Sequence, residues 1–319
     1  MLGRTGIEVS ELGYGAWGIG GTMWIGADDE ESLRALRRAI ELGVDFVDTA
    51  LGYGRGHSEE LVGEAVRAAS EQVYVATKVP PENMRWPAQA GTPPEAAFPA
   101  DWVVECTERS LRNLGLETID VQQFHVWSDE WVGRGDWLDA VERLKRDGKI
   151  RCFGVSINDH QPANALELVA SGVVDTVQVI YNVFDQSPED ELFPAVQDAG
   201  VGVIARVPFD EGALAGRIRP DTTFPEGDFR HEYFAGGRKL EVWERALAVA
   251  ADLGIETEQL PEIALRFCLS HPAVSTVIAG MRSLRNVDAN AAAVEKGPLS
   301  PDQLDILRRH RWVRSFYAE

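Results

Sequence analysis

Lysine is scarce: only five of the 31 Lys and Arg residues in this chain of 319 are lysines. Positive charge is short as a whole. Against 31 basic residues stand 51 Asp and Glu, a formal net charge of −20 at pH 7. Such a chain repels nucleic-acid phosphate and anionic lipid, which argues against both as partners. The acidic, lysine-poor balance fits a salt-rich host and equally a GC-rich genome that favours arginine codons. Cysteine is rarer still. Cys106, Cys152 and Cys268 lie far apart without metal-ligand spacing, and three cannot all pair. A reducing, cytoplasmic setting follows as the expectation. No apolar run approaches the ~20 residues of a membrane helix. The opening residues, Met1 to Gly6, lack the apolar core of a secretory signal. No glycine-rich or charged linker divides the chain, so one domain over residues 1–319 is expected. At 45% apolar and 26% charged residues the composition is globular, excluding disordered and fibrous classes.

Short apolar, β-branched runs alternate with amphipathic stretches. Strands are expected at 12–15, 44–48, 73–77, 118–124, 150–155, 176–180, 201–205 and 275–278. Helices are expected at 30–42, 58–66, 101–114 (capped by Asp101), 137–146, 163–170, 189–199, 240–253, 284–294 and 301–312. Solid apolar strands need cover on both faces, and eight β-then-α units suit a closed (β/α)₈ TIM barrel with an additional C-terminal helix. Three connections are long: 80–100 with six prolines, 124–136, and 207–238 with five glycines. Each follows a strand and so lies on the C-terminal face of the barrel, where loops of this length are usually functional.

Polar residues stand where strands end. Asp48 closes the second strand, Lys78 the third and His125 the fourth, and Tyr53 follows Asp48 by five residues. Strand ends converge on one barrel mouth. A phenol is a poor acid near neutrality, but a neighbouring ammonium stabilises its anion, and a carboxylate holds that ammonium in place. An imidazole can donate to a substrate oxygen. Together these make a proton donor beside an oxyanion site, as carbonyl reduction requires. Singly each residue has an ordinary explanation: a loop cap, a turn tyrosine, a snorkelling lysine, a satisfied histidine. Their joint occurrence at successive strand ends is the stronger signal. No His-x-His or carboxylate–His cluster marks a strand end, so a metal site is not expected.

The run Phe46-Val47-Asp48-Thr49-Ala50-Leu51-Gly52-Tyr53-Gly54-Arg55-Gly56-His57-Ser58-Glu59-Glu60-Leu61-Val62-Gly63 closely resembles the first signature of the aldo-keto reductases. The likeness continues in order through Ala76-Thr77-Lys78, Ile119 to His125, Gly148 to Ser156, Gln178 to Asn182, and Ile278 to Ser283 with Asn290. It implies a barrel that binds a nicotinamide cofactor, NADP(H) ahead of NAD(H), and reduces aldehydes or ketones. On this resemblance Asp48, Tyr53, Lys78 and His125 are the catalytic tetrad. Ser156 and Gln178 match the carboxamide contacts, and Gly15, Ala16, Trp17 and Asp48 the nicotinamide ribose. Leu214 and Gly216 match the pyrophosphate segment. Gly280, Arg282, Asn286 and Asn290 match the adenosine end, where Arg282 or Arg285 can pair a 2′-phosphate.

Three positions depart from the family pattern. Ile157 follows Ser156 where Asn is usual, with Asn158 one further on. Arg206 stands where an aromatic ring commonly stacks on the nicotinamide, and Ala289 where Glu commonly holds the adenine. A guanidinium can stack on a flat ring, so Arg206 counts among the cofactor contacts. Trp17, Trp24, Tyr53, Trp86, Trp127 and Trp131 fall at or after strand ends. They imply an aromatic mouth for apolar or aromatic carbonyls, with Trp17, Trp86 and Trp127 against the substrate. The short closing segment, 298–319, is expected to leave that mouth open and specificity broad. Barrels of this family also serve as potassium-channel β subunits, which gives a second reading as an interaction protein.

Overall fold

The computed structural model describes residues 1–317. Eight parallel strands close into a barrel in chain order: β1 (Leu12–Gly15), β2 (Phe46–Asp48), β3 (Tyr74–Val79), β4 (Ile119–Phe124), β5 (Ile150–Ser156), β6 (Thr176–Ile180), β7 (Gly202–Arg206) and β8 (Val274–Gly280), with β8 pairing back onto β1. The (β/α)₈ expectation therefore holds. Strand after strand is buried along most of its length, as parallel strands between a filled interior and a helical coat must be.

The helices are α1 (Asp29–Glu41), α2 (His57–Ala68), α3 (Ala100–Leu114), α4 (Trp137–Arg146), α5 (Leu166–Ser171), α6 (Leu192–Ala199), α7 (Phe229–Tyr233), α8 (Arg238–Leu253), α9 (Leu260–Leu269), α10 (Leu284–Val294) and α11 (Pro301–Arg308). Local chemistry sets their ends. Asp28 caps α1 and Ser283 caps α10, each side chain accepting from the backbone three residues on. Ser300 and Gln303 form a reciprocal capping box on α11. Asp101 does not cap α3. The helix begins at Ala100 behind Pro99, and Asp101 lies in its first turn, where a carboxylate still favours the dipole.

The 240–253 helix was expected to be the only one between the seventh and eighth strands, but α9 also lies there. In the barrel coat α9 packs on β8 and against α10, and α8 packs against α11. The sequence pattern missed α9 because its buried residues, Leu260, Ile263, Ala264, Leu265, Phe267 and Cys268, surround much of the helix and blur the period. The short α7 lies inside the stretch read as one loop. The helix expected over 301–312 stops at Arg308 as α11, and residues 312–317 run on without helix.

The N-terminal end of the barrel is stoppered. Leu2, Ile7 and Val9 form a separate apolar cluster with Phe46, Ala76, Val121, Cys152, Ile204 and Ile278, and the Leu2 N–H donates to Ile7 O at 2.8 Å. Chemistry is left to the opposite rim. There the loops over 80–99 and 125–136 are fastened by a buried aromatic cluster, in which Phe98 stacks on Phe124 at 4.0 Å and Trp127 meets Trp131 and Trp137 edge-on. No helix among the described residues is long and apolar enough to cross a membrane.

Candidate active site

Register brings the strand-end residues together. Gly15 pairs with Asp48 across β1 and β2, Lys78 with Gln123 across β3 and β4, and Ser156 with Gln178 across β5 and β6. Lys78 is fully buried. Its ammonium donates to Asp48 Oδ2 at 2.5 Å, to Thr49 O at 2.8 Å and to the Tyr53 hydroxyl at 3.4 Å. The same ammonium lies 5.1 Å from the centre of the Tyr53 ring. The His125 ring meets Tyr53 edge-on at 5.5 Å, so all four residues of the expected tetrad share one cluster.

The turn that carries Tyr53 depends on glycine. Gly54 (φ 63°) lies against the loop after β1, and a Cβ there would come 2.1 Å from Gly20 O. Gly56 takes φ 101° before α2 begins. Inside α2, Ser58 donates to Ala16 O at 2.8 Å, which holds the end of β1 beside the Tyr53 turn.

Asp48 has a second set of partners. Gln178 Nε2 donates to Asp48 Oδ1 at 2.8 Å and Gln123 Nε2 does so at 3.1 Å, while Gln178 also reaches Gln123 Oε1 at 3.2 Å. Gln178 is thus tied into the tetrad. Gln123 was not singled out from the sequence, although it stands two residues before His125 and therefore on the same face of β4.

Electrostatics correct one expectation. Lys78 does pull the Tyr53 pKa down, but burial pushes it up more strongly and Asp48 adds to the rise, so the phenol titrates above its ordinary value. Burial, reinforced by Lys78 and Arg206, holds His125 well below the ordinary histidine value. The imidazole is neutral at pH 7, and its Nδ1 is buried without a partner.

Arg206 ends β7 at this rim. Its guanidinium donates to Ile157 O at 3.0 Å and to Asp159 Oδ1 at 2.6 Å. Asn158 does not stand in for the missing asparagine. Its amide is bonded to both backbone groups of Ala88 and to Gln161, fastening the loop after β3.

Trp17 meets Tyr53 at 6.3 Å, and Trp86, 42% exposed, meets His125 edge-on at 6.0 Å. Trp24 lies against Trp17 at 5.6 Å. Trp127 and Trp131 belong elsewhere. Both are buried in the aromatic cluster, and their indole N–H groups donate to Asp129 and to Thr92 O. Trp127 is therefore a loop anchor, which overturns its expected contact with substrate.

The other expected cofactor residues follow β7 (Leu214, Gly216) or end and follow β8 (Gly280, Arg282, Asn286, Asn290). Gly216 takes φ 68° at the end of the turn after β7, with Thr257 O 2.1 Å from where a Cβ would lie. The Leu214 side chain is buried, and its N–H is taken by Phe209 O at 3.0 Å; Leu214 shapes the turn and has no free N–H to offer a phosphate. Beside the exposed Gly280, Arg282 is half-buried, and burial together with the repulsion of Arg230 lowers its pKa. Arg282 Nη1, Trp24 Nε1 and the Tyr14 hydroxyl are buried without partners. Arg282 and Arg230 lie over Trp24, at 5.8 and 4.3 Å from its ring centre. Unpartnered donors beside the N-terminus of α10 suit an anionic group, so the site fits a phosphate-bearing cofactor. The Asn286 N–H is held by the Ser283 cap, and Asn290 is buried with its amide against Met281 Sδ.

The closing segment does not stand clear of the mouth as expected. Residues 312–317 cross the rim: Trp312 N–H donates to Phe184 O at 2.7 Å, Arg314 pairs with Asp210, and the Tyr317 hydroxyl donates to Glu211 Oε1 at 2.5 Å. The Tyr317 ring lies 5.7 Å from His160.

A parallel barrel with a buried Asp–Lys pair beneath a tyrosine and a neutral histidine defines a class of oxidoreductase built for proton delivery at a carbonyl. Comparison with known proteins agrees. The profile of the Aldo/keto reductase family matches residues 11–311, and the chain belongs to that family. Aldo-keto reductase YhdN of Bacillus subtilis (strain 168) is 31% identical over 312 residues, covering 96% of this chain and 91% of that protein. The NADH-specific methylglyoxal reductase of Escherichia coli (strain K12) is 28% identical, covering 92% of each. Among solved structures, the holo form of aldo-keto reductase AKR11C1 from Bacillus halodurans superposes with a TM-score of 0.75 at 29% identity, covering 98% of this chain and 95% of that one.

Proposed function

We propose that Tyr53 is the proton donor of an NADPH-dependent carbonyl reduction. The observation that carries this is the Tyr53 hydroxyl 3.4 Å from the Lys78 ammonium, itself locked to Asp48 at 2.5 Å, with the neutral His125 ring alongside. When bound, the reduced nicotinamide supplies the hydride. The residues of the chain do the rest. Tyr53 is protonated at neutral pH, as an ordinary phenol is and all the more with its pKa raised by burial, so it has a proton to give the carbonyl oxygen. Lys78 stabilises the phenolate left behind, and Asp48 fixes the ammonium under it. Neutral His125 donates one hydrogen bond to the same oxygen and so orients the carbonyl.

The cofactor contacts follow the same logic. Gly15, Ala16, Trp17, Ser156, Gln178 and Arg206 border the nicotinamide end, and Gly216, Gly280, Arg282, Asn286 and Asn290 the phosphate and adenosine end. Arg282 favours NADPH over NADH, because its unpartnered Nη1 suits a 2′-phosphate. Substrates are apolar or aromatic aldehydes and ketones held between Trp17 and Trp86. Three unpaired, buried cysteines fit a reducing, cytoplasmic setting.

The test has two parts. Titrating the protein with NADPH and with NADH should quench tryptophan fluorescence, NADPH at the lower concentration. Adding an aromatic aldehyde should then consume the reduced cofactor. Binding without turnover would favour an interaction protein of the channel-subunit kind, and absence of binding would defeat both readings.

A further inference from the structure

The segment after β7 is held in a conformation its own residues resist. Val207, Asp210 and Glu211 have φ of 58°, 51° and 55°, left-handed values that L side chains seldom adopt and a β-branched one least of all. Gly212, at φ 106°, and Asp210, whose side-chain type tolerates positive φ, favour this path locally; Val207 and Glu211 do not. The segment also carries two carboxylates in the turn that ends at Gly216, the residue of that turn proposed to border the cofactor's phosphates. Left bare, they would repel those phosphates.

Both problems are met by the end of the chain. The Arg314 guanidinium pairs with Asp210, their side chains 9% and 1% exposed. The Tyr317 hydroxyl donates to the buried carboxyl of Glu211 at 2.5 Å. The tail is itself firmly seated. Arg245 and Arg314 lie over Trp312 at 4.2 and 4.3 Å from its ring, and Arg314 and Arg238 lie over Phe316, each at 4.7 Å. Arg238 also donates to Phe316 O at 3.1 Å. This ladder of cations and rings fixes the tail to α8, and Tyr317 packs on Tyr233 of α7 at 5.0 Å.

We propose that Arg314 and Tyr317 are positioning residues for cofactor binding: they hold residues 207–211 in their left-handed path and screen Asp210 and Glu211 from the cofactor's phosphates. This rests on the reading of Gly216 as part of the cofactor site. Burial also raises the Glu211 pKa to about 7, so much of it is neutral near neutrality, in keeping with that screening. The closing segment thus serves the cofactor site from across the rim.

The dissociation constant for NADPH, read by tryptophan quenching, tests this. Arg314→Ala should raise it about ten-fold, the equivalent of ~1.4 kcal/mol, with the loss falling on cofactor affinity and KM more than on kcat. Lower salt should deepen the loss, because the uncovered charge on Asp210 is then less screened. Asp210→Asn added to Arg314→Ala should recover most of the affinity: the repelling charge is gone, and asparagine tolerates positive φ. Neutralising Asp210 also relieves the stability cost of an unpaired buried carboxylate, so the salt dependence of the affinity loss, which a merely structural defect would not show, is read beside the rescue. Tyr317→Phe should weaken binding a few-fold and decides the matter if Arg314→Ala fails to fold. If the wild-type protein binds neither NADPH nor NADH, the cofactor reading itself fails. If the wild type binds NADPH while folded Arg314→Ala or Tyr317→Phe binds within two-fold of it, or the double variant gains nothing, the positioning role is overturned.

Discussion

The Tyr53 phenol lies 3.4 Å from an ammonium, yet burial keeps its pKa above the ordinary tyrosine value. That balance suits a donor. Reduction needs the neutral phenol, so its rate should stay flat through neutral pH and fall only in the alkaline range. Oxidation of an alcohol needs the phenolate and should climb with pH. Tyr53→Phe should lower kcat by about 10²–10⁴-fold, the usual worth of a positioned acid, while leaving the NADPH dissociation constant within two-fold. Unaltered turnover would show that another acid delivers the proton. Arg206, held by Asp159 and Ile157 O, puts a fixed cation where the nicotinamide is proposed to lie. A cation disfavours the oxidised, positively charged ring. Arg206→Ala should therefore lower the dissociation constant of NADP⁺ relative to that of NADPH by several-fold. An unchanged ratio of the two would defeat this role.

At the scale of the element, the Tyr53 turn and the segment after β7 illustrate what a sequence does and does not disclose. Asp48, Tyr53, Lys78 and His125 were legible because each sits at or just after a strand end, in an ordered set of motifs. Gly54 was quoted among them without its reason, which is the backbone of a loop thirty-odd residues earlier. Gly54→Ala should destabilise the protein by about 1–3 kcal/mol, the cost of a forced left-handed or displaced backbone, and should lower turnover further by shifting its neighbour Tyr53; thermal melting and a kcat measurement check both. Trp127 misled because its position after β4 does not reveal that the loop folds back over Phe124. The tail was illegible for a different reason: an extended strap has no period, and its partners, Asp210 and Glu211, lie a hundred residues upstream. Glu211 also gives a pH signature. Its folded pKa of about 7 exceeds the ordinary 4.5, so its contribution to stability is complete below pH 4.5 and lost as pH rises through 7. Glu211→Gln, which cannot ionise, should flatten the decline in melting temperature between those values; an identical decline would show that the carboxyl does not titrate there.

At the scale of the whole molecule, the barrel divides its labour between its ends. The stopper at the N-terminal end contributes stability and includes none of the tetrad. Leu2 is fully buried within it, so Leu2→Ala should cost about 2–5 kcal/mol of stability and leave kcat of the folded protein unchanged. An equal loss in kcat would show that the two ends are coupled. The division into eight strands was readable throughout, since solid apolar runs announce buried parallel strands. The coat was less so: α9, apolar on much of its circumference, lacks the contrast that marks a half-exposed helix.

The few cysteines give the molecule one more property. Cys106 on α3, Cys152 on β5 and Cys268 on α9 are buried, and burial drives their thiols upward, Cys106 to about 12 and Cys152 to about 11. A thiol that is both shielded and protonated does not react with alkylating reagents. The folded enzyme should therefore be indifferent to iodoacetamide, and the pace of alkylation becomes a clock for how often helical coat and barrel wall come apart.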